Sequence, residues 1–242
     1  MRRVPPRVAN AWAPGPPHPR LAERAVHVWR ADLTTVSPEL GELLCEEERA
    51  RAKRIVNKPD GELWRRSRGL LRTLLARYLQ ADPSTLQFVT GKHGKPALVH
   101  NVDELSTASP PATADTDPLP FNVSHSGHWA LYAFSAAGPV GVDIEVARQP
   151  VDAVAIAARI FGPVQAQRLQ ALDPASRQRE FIRAWARHEA ELKCLGVGIG
   201  GGDASASPCR PWVVQLELGF DAGAAVASEL RALELRCWGW QA

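Results

Sequence analysis

Apolar and polar positions alternate over residues 25–33 (AVHVWRADL), a period of two that predicts a strand. The pattern lengthens after Ser37-Pro38-Glu39, which suits a helix start, and residues 38–80 read as helices. Within them Leu70, Leu71, Leu74, Leu75 and Leu79 recur at helical spacing and mark one apolar face. A short strand is expected over 86–90. Residues 106–120, rich in Ser, Thr, Ala, Pro and Asp, predict a loop. Two strands flank Ser126-Gly127 within 122–135, and another covers 140–146. Residues 154–172 and 175–195 read as helices, the second closed by Gly196, and 196–207 as a glycine-rich loop. Strands over 211–218, 224–229 and 233–240 complete the pattern.

Strand, helices and strands therefore occur twice. The expected fold class is α+β: a pseudo-twofold pair of similar lobes, each a small antiparallel sheet packed with helices. The lobes would cover 25–138 and 139–242, with a border near Gly138–Pro139 and the default pocket between them. Residues 1–24 carry six prolines and little periodicity, so they predict a flexible Pro/Arg-rich arm.

Composition narrows the classes. Of 242 residues 45% are apolar, enough for a core, and 23% are charged, which argues against wholesale disorder. A net charge of +3 does not by itself imply nucleic-acid binding. No apolar run approaches the roughly 20 residues of a membrane span, and the Arg- and Pro-rich start has no apolar core of a secretory signal. Cys45, Cys194, Cys209 and Cys237 form no C-x-x-C pair and read as reduced thiols of a cytoplasmic protein. Lys occurs only at Lys53, Lys58, Lys92, Lys95 and Lys193 in an Arg-preferring chain. A Lys retained there is a compact point charge that can lose a proton.

Several segments carry candidate chemistry. Asp143 and Glu145, two apart in a strand, point to one face and suit Mg²⁺; taken alone they also read as an exposed acidic face. Trp185, Glu189 and Lys193 lie along one helix face, where Glu189 and Lys193 could be only a surface pair. Ser124-His125-Ser126-Gly127 forms a turn of small hydroxyl residues that suits a phosphate, or a purely structural turn. His128 lacks the further ligands a transition-metal site needs. Gly91-Lys92-His93-Gly94-Lys95-Pro96 resembles a phosphate loop in composition but lacks the Walker spacing. Arg49, Arg51, Lys53 and Arg54 form a basic helix that is either a solvated face or a contact for phosphate or an acidic partner.

In combination these segments resemble the 4′-phosphopantetheinyl transferases, of the two-lobed type. The family runs G-K-P, then F-N-(I/V)-S-H-S, then G-(I/V)-D-(I/V)-E, then F-x-x-x-W-x-x-K-E-(A/S)-x-x-K-x-x-G-x-G. This chain reads Gly94-Lys95-Pro96, then Phe121 to Ser126, Gly141 to Glu145, and Phe181 to Gly198, in the same order over about residues 45–200.

The resemblance implies coenzyme A as donor, Mg²⁺ as cofactor with Mn²⁺ as a substitute, and a serine of an acyl- or peptidyl-carrier protein as acceptor. Asp143, Glu145 and Glu189 match the family's metal carboxylates, and Lys193 its phosphate-contacting lysine. His125, beside Ser124, and Arg51 match residues that hold the 3′-phosphate. Lys95 and Pro96 match the segment beside the adenine and its phosphates. Glu189 and Lys193 are the expected catalytic pair. Two departures stand out: His188 replaces the family lysine before Glu189, and Gln165 stands where relatives often have Glu. The rival readings are a degenerate homologue that binds coenzyme A or a carrier without turnover, and a nucleic-acid-binding protein using the Arg49–Arg72 helix. The preferred reading has no nucleic-acid or membrane partner, and internal duplication points to a monomer.

Overall fold

The computed structural model describes residues 12–91, 94–99, 119–136, 138–147, 151–197, 210–229 and 234–241. The expected loop positions at 106–118 and 198–207, and residues 1–11 of the expected arm, lie outside them. A short strand β1 (Ala13–Pro14) and β2 (Ala25–Asp32) lead to a 3₁₀ turn at Pro38–Leu43, then α1 (Glu46–Arg54) and α2 (Lys58–Leu79). The hairpin β3 (Phe88–Thr90) and β4 (Pro96–Leu98) comes next, then β5 (Phe121–Ser126), β6 (Trp129–Ser135) and β7 (Val140–Val146). The chain continues through α3 (Ala153–Ile160), α4 (Pro163–Gln170) and α5 (Pro174–Leu195), and ends in β8 (Trp212–Gln215), β9 (Ala222–Ser228) and β10 (Glu234–Gly239).

The expected α+β class holds, with small sheets packed on helices. Its details differ in four places. One sheet has the order β1-β10-β2-β6-β5 and is mixed, because β10 runs parallel to both β1 and β2; the other, β7-β9-β8, is antiparallel. The last strand thus returns to the sheet of the first half, and β10 crosses the border near Gly138–Pro139, which remains our proposal for the domain division. Ala13 and Pro14, expected within a flexible arm, pair with Trp238 and Gly239, and Trp12 Nε1 donates to the Glu217 carbonyl at 2.7 Å. The helix expected over 154–172 is broken at Gly162-Pro163: Gly162 has φ +84, a left-handed conformation, and Pro163 opens a new helix.

Alternation along the strands creates a four-layer stack. On β2, Val26 and Val28 face the second sheet, with Val140, Val142, Ile144 and Val226 opposite them. Trp29 and Ala31 face the other way, against Leu70, Leu71, Leu74 and Leu75 of α2. The leucine stripe is buried as its spacing predicts. On the far side, Ala190 and Cys194 of α5 meet Ala225 and Ala227 of β9. Close approach of α5 depends on glycine: a Cβ at Gly141 would stand 2.1 Å from the Ala190 carbonyl oxygen, and one at Gly223 2.3 Å from that of Ile182. Asp173 caps the start of α5, its carboxylate accepting from the amides of Ala175 and Ser176, and Gly196 ends it at φ 69. These ends leave Lys193 in the last turn, facing β7. Among the described residues no helix is long and apolar enough to cross a membrane.

Candidate active site

The site forms where edge strand β5 meets edge strand β7. Alternate side chains of β5 reach across to β7. Asn122 Oδ1 accepts from the Val142 amide at 2.8 Å, and Ser126 Oγ accepts from the Val146 amide at 3.1 Å. These bonds satisfy β7 amides that no neighbouring strand pairs. The same register serves the carboxylates. Ser124 Oγ donates to Asp143 Oδ1 at 2.8 Å, and Ser126 Oγ lies 3.3 Å from Glu145 Oε2. Two serines spaced by two therefore address two carboxylates spaced by two. His125, between the serines, points to the opposite side and is exposed.

Helix α5 closes the cluster. Lys193 Nζ donates to Asp143 Oδ1 at 2.5 Å and to Ser124 Oγ at 3.1 Å. Asp143 and Glu189 are both buried, yet among the described residues Asp143 Oδ2 and Glu189 Oε1 have no hydrogen-bond partner. Burial pushes the Asp143 carboxyl above its ordinary range, against the pull of Lys193 and Ser124. Glu189 is likewise raised, first by burial and then by the negative charge of Asp143, with Glu145 adding to it and Lys193 opposing. Asp143 and Glu189 thus share the Lys193 ammonium. Two orphaned buried oxygens in an all-oxygen donor set fit a hard cation such as Mg²⁺ in kind. They are not gathered into a ready shell: among the described residues no three His, Cys, Asp or Glu side chains are grouped to hold a metal ion.

Beside this cluster lies a basic cleft of about 680 Å³. Arg51, Arg54 and Arg68 bring positive charge to it, His125 an imidazole, and Trp64 and Phe88 aromatic faces. The Arg51 guanidinium sits 5.4 Å from the Trp64 ring centre, and that of Arg68 lies 3.9 Å over Phe88. Glu48 holds Arg68 in place and binds Arg72 Nε at 2.8 Å; Arg72, fully buried, also donates to the carbonyls of Pro83 and Leu86. A larger cleft of about 950 Å³ lies behind α2 among residues such as Arg20, Arg77 and Gln80; the carboxylates of the site line neither cleft, but His125, next to Ser124 on β5, lines the basic one.

The structure brings Arg51, Pro96 and His125 together in the basic cleft, and Ser124, Asp143, Glu145, Glu189 and Lys193 together at the strand edges. Lys95, expected beside the phosphates, is directed elsewhere: its ammonium donates to the carbonyls of Val140 and Lys193, both at 3.0 Å. Those carbonyls lie in the other half of the chain, and they take two of its donors. His188 does not supply the charge of a lysine beside Glu189. Its ring packs edge-on against Phe161 (5.5 Å between centres) and beside Trp185 (6.5 Å), and burial lowers its pKa. Arg187 pairs with Glu191 at 3.5 Å, one turn along α5. His128 packs beside Trp129. Lys92, His93 and Gly198 of the motifs lie outside the described residues.

Sequence reasoning missed Trp64, Arg68, Phe88 and the Glu48–Arg72 brace. One signal was present: Arg68 and Arg72 are four apart on the helix that carries the leucine stripe, and so share one face of it. The match between the 124/126 and 143/145 spacings is a second such signal.

An α+β frame here sets a carboxylate–ammonium cluster beside a basic cleft with aromatic walls, the kind of arrangement found in enzymes that act on anionic substrates. Comparison with known proteins narrows that class. Residues 139–232 match the family described as the 4′-phosphopantetheinyl transferase superfamily, and residues 29–137 match the 4′-phosphopantetheinyl transferase N-terminal family. The chain is 33% identical over 193 residues to the 4′-phosphopantetheinyl transferase HetI of Nostoc sp., covering 78% of this chain and 76% of that protein. A phosphopantetheinyl transferase of Thraustochytrium sp. is 29% identical over 214 residues, covering 84% of this chain and 66% of its own. The 4′-phosphopantetheinyl transferase Sfp of Bacillus subtilis is 29% identical over 153 residues, 63% of this chain and 60% of Sfp. The chain belongs to the 4′-phosphopantetheinyl transferase superfamily and is a transferase enzyme of that kind.

Proposed function

We propose that this transferase moves the 4′-phosphopantetheine group of coenzyme A onto a serine hydroxyl of an acyl- or peptidyl-carrier protein. The serine oxygen–phosphorus bond forms, the bond from that phosphorus to the bridging oxygen breaks, and adenosine 3′,5′-bisphosphate leaves with the electron pair. The observation that carries this reading is the Ser124–Asp143–Lys193 cluster, with its orphaned carboxylate oxygens, beside the basic cleft.

In this reading the cleft takes the nucleotide end. Arg51, Arg54 and His125 face its phosphates, and Trp64 and the Arg68-covered Phe88 offer flat surfaces to its base. Asp143, Glu145 and Glu189 would hold Mg²⁺, with Mn²⁺ as a substitute; bound there, the cation supplies charge neutralisation and Lewis acidity toward the pyrophosphate. Lys193 stabilises charge that grows on the phosphoryl oxygens. Glu189, beside Lys193 on the inward face of α5, accepts the proton of the carrier serine, directly or through water. The reading extends to a cytoplasmic monomer that engages neither nucleic acid nor membrane.

The test is direct. The chain is mixed with apo carrier proteins, coenzyme A and Mg²⁺, and the carriers are weighed by mass spectrometry. A gain of one phosphopantetheine mass is expected, together with its loss in folded Asp143→Ala. Tight coenzyme A binding with no gain on any carrier would make the chain a binding homologue instead.

A further inference from the structure

The hairpin that lines the basic cleft sends one side chain out of it. Thr90, Gly94 and Pro96 line the cleft, whereas Lys95, between the last two, reaches into the other half of the molecule. Its path is set by the hairpin. Thr90 pairs with Pro96, the Gly91 amide donates to the Lys95 carbonyl at 2.9 Å, and Gly94 takes φ +79, which a side chain would resist.

The two acceptors are chosen by elementary chemistry. The Lys193 carbonyl belongs to the last turn of α5, where carbonyls lack intrahelical donors and the helix dipole favours a cation. Among the described residues the Gly196 and Val197 amides both donate to the Leu192 carbonyl instead. The Val140 carbonyl opens β7, three residues before Asp143. Between the two acceptors α5 and β7 touch backbone to backbone at Gly141. The Lys95 ammonium therefore clamps the point where the Lys193 helix crosses the Asp143 strand, and the same lysine whose carbonyl it caps places its own ammonium on Asp143 at 2.5 Å.

We propose that Lys95 is a positioning residue, not a phosphate ligand: by bracing the Lys193 carbonyl against that of Val140 it keeps the Lys193 ammonium on Asp143. It also links the cleft wall to that pair, so that occupancy of the cleft and alignment of the reacting groups are mechanically joined. This rests on the transferase reading for its kinetic consequence, though not for its structural one.

The test uses the full chain and Lys95→Met, with Lys95→Arg as the conservative variant and Lys95→Gln in place of Lys95→Met should that fail to fold. Calorimetric titration with adenosine 3′,5′-bisphosphate reads the cleft alone. Its Kd is expected to stay within about threefold of wild type in Lys95→Met. At saturating coenzyme A and carrier, kcat is expected to fall roughly 10- to 100-fold, the scale of small misplacements of reacting groups. Lys95→Arg, which keeps donors at that place, is expected to recover much of it. Hydrogen exchange of residues 190–197 should quicken in Lys95→Met. A rise of about tenfold or more in Kd with kcat preserved is the pattern of a lost charged phosphate contact and would overturn the proposal. So would unchanged exchange over 190–197. If wild type transfers nothing to any carrier, the functional reading fails, and the Kd and exchange measurements still decide the role of Lys95.

Discussion

Ser124 Oγ donates to Asp143 Oδ1 at 2.8 Å while accepting from Lys193 Nζ at 3.1 Å, so one hydroxyl joins the first strand edge, the second strand edge and the last helix turn. Its value lies in orientation. Asp143 is buried with its other oxygen unpartnered, and it would otherwise rotate to satisfy itself. Ser124→Ala is expected to cost about 1 kcal/mol of stability, the net worth of a typical hydrogen bond. It should lower transfer further than that loss explains. Chemical denaturation and steady-state kinetics on one preparation separate the two; a full-speed Ser124→Ala enzyme would show that Asp143 needs no such guide.

The first half carries its own buried polar knot. His27 is almost wholly enclosed, its Nδ1 2.9 Å from the Tyr78 hydroxyl, which accepts from Trp29 Nε1 and so has its own proton to give to the imidazole. Burial, aided by Arg236, lowers the His27 pKa from 6.5 to about 4. A folded-state pKa below the unfolded one means that the folded state binds fewer protons. The contribution is therefore complete above pH 6.5 and is lost as pH falls toward 4. The loss amounts to about 3 kcal/mol across that window. His27→Gln, which retains an acceptor for Tyr78, should flatten the fall of Tm between those pH values. An equally steep fall in the variant would assign the acid sensitivity to other groups.

The parts legible in the sequence share a physical cause. Short-range periodicity and turn chemistry act locally, so the leucine stripe of α2, the strands around Ser126-Gly127 and the Gly196 stop were readable. The path of β10 was not, because parallel pairing with β2 is a contact between residues 25 and 234 and onward, and no local pattern records it. That Asp143 and Glu145 share a strand face, and Glu189 and Lys193 a helix face, was readable from spacing; that they belong to one site was implied only by the family resemblance. The direction of Lys95 was not readable. It depends on a helix end carried by the other half of the chain, and composition of the G-K-P segment says nothing of which way its lysine turns.

Gly141 permits the crossing of β7 and α5, and its replacement tests how closely the site depends on it. A Cβ there would meet the Ala190 carbonyl oxygen at 2.1 Å and the Cys194 amide nitrogen at 2.4 Å, backbone atoms that cannot rotate away. Gly141→Ala should cost about 1–3 kcal/mol, the usual cost of overpacking. Because the helix must shift at the level of Lys193, transfer should fall by more than tenfold even where the protein stays folded. Normal kinetics in a folded Gly141→Ala protein would mean the contact can relax without moving Lys193.

Arg72 anchors the wall of the basic cleft. It is buried, binds Glu48 at 2.8 Å and donates to the Pro83 and Leu86 carbonyls at 2.8 and 3.0 Å. Removing one partner of a buried ion pair leaves the other charge uncompensated, so Arg72→Leu should cost about 3–5 kcal/mol in urea unfolding. Arg68 still pairs with Glu48, which places the expected loss toward the lower end. A change below about 1 kcal/mol, the scale of a surface pair, would show that water replaces Arg72.

His188 stands where the resemblance expects a lysine, and its packing determines the effect of that exchange. The ring lies against Phe161 and Trp185, half-buried, and burial lowers its pKa, so it is neutral at pH values where a lysine is charged. Its contacts are those of an aromatic filler between α5 and the end of α3. His188→Phe should therefore keep kcat and KM within about threefold of wild type, since a swap of similar shape costs little in a packed site. His188→Asp, which sets a carboxylate against two aromatic rings, should lower stability by about 1–3 kcal/mol. A loss of kcat beyond tenfold in a stable His188→Phe would instead place the imidazole in contact with the reacting groups, and the substitution of the family lysine would then be a change of chemistry and not of packing.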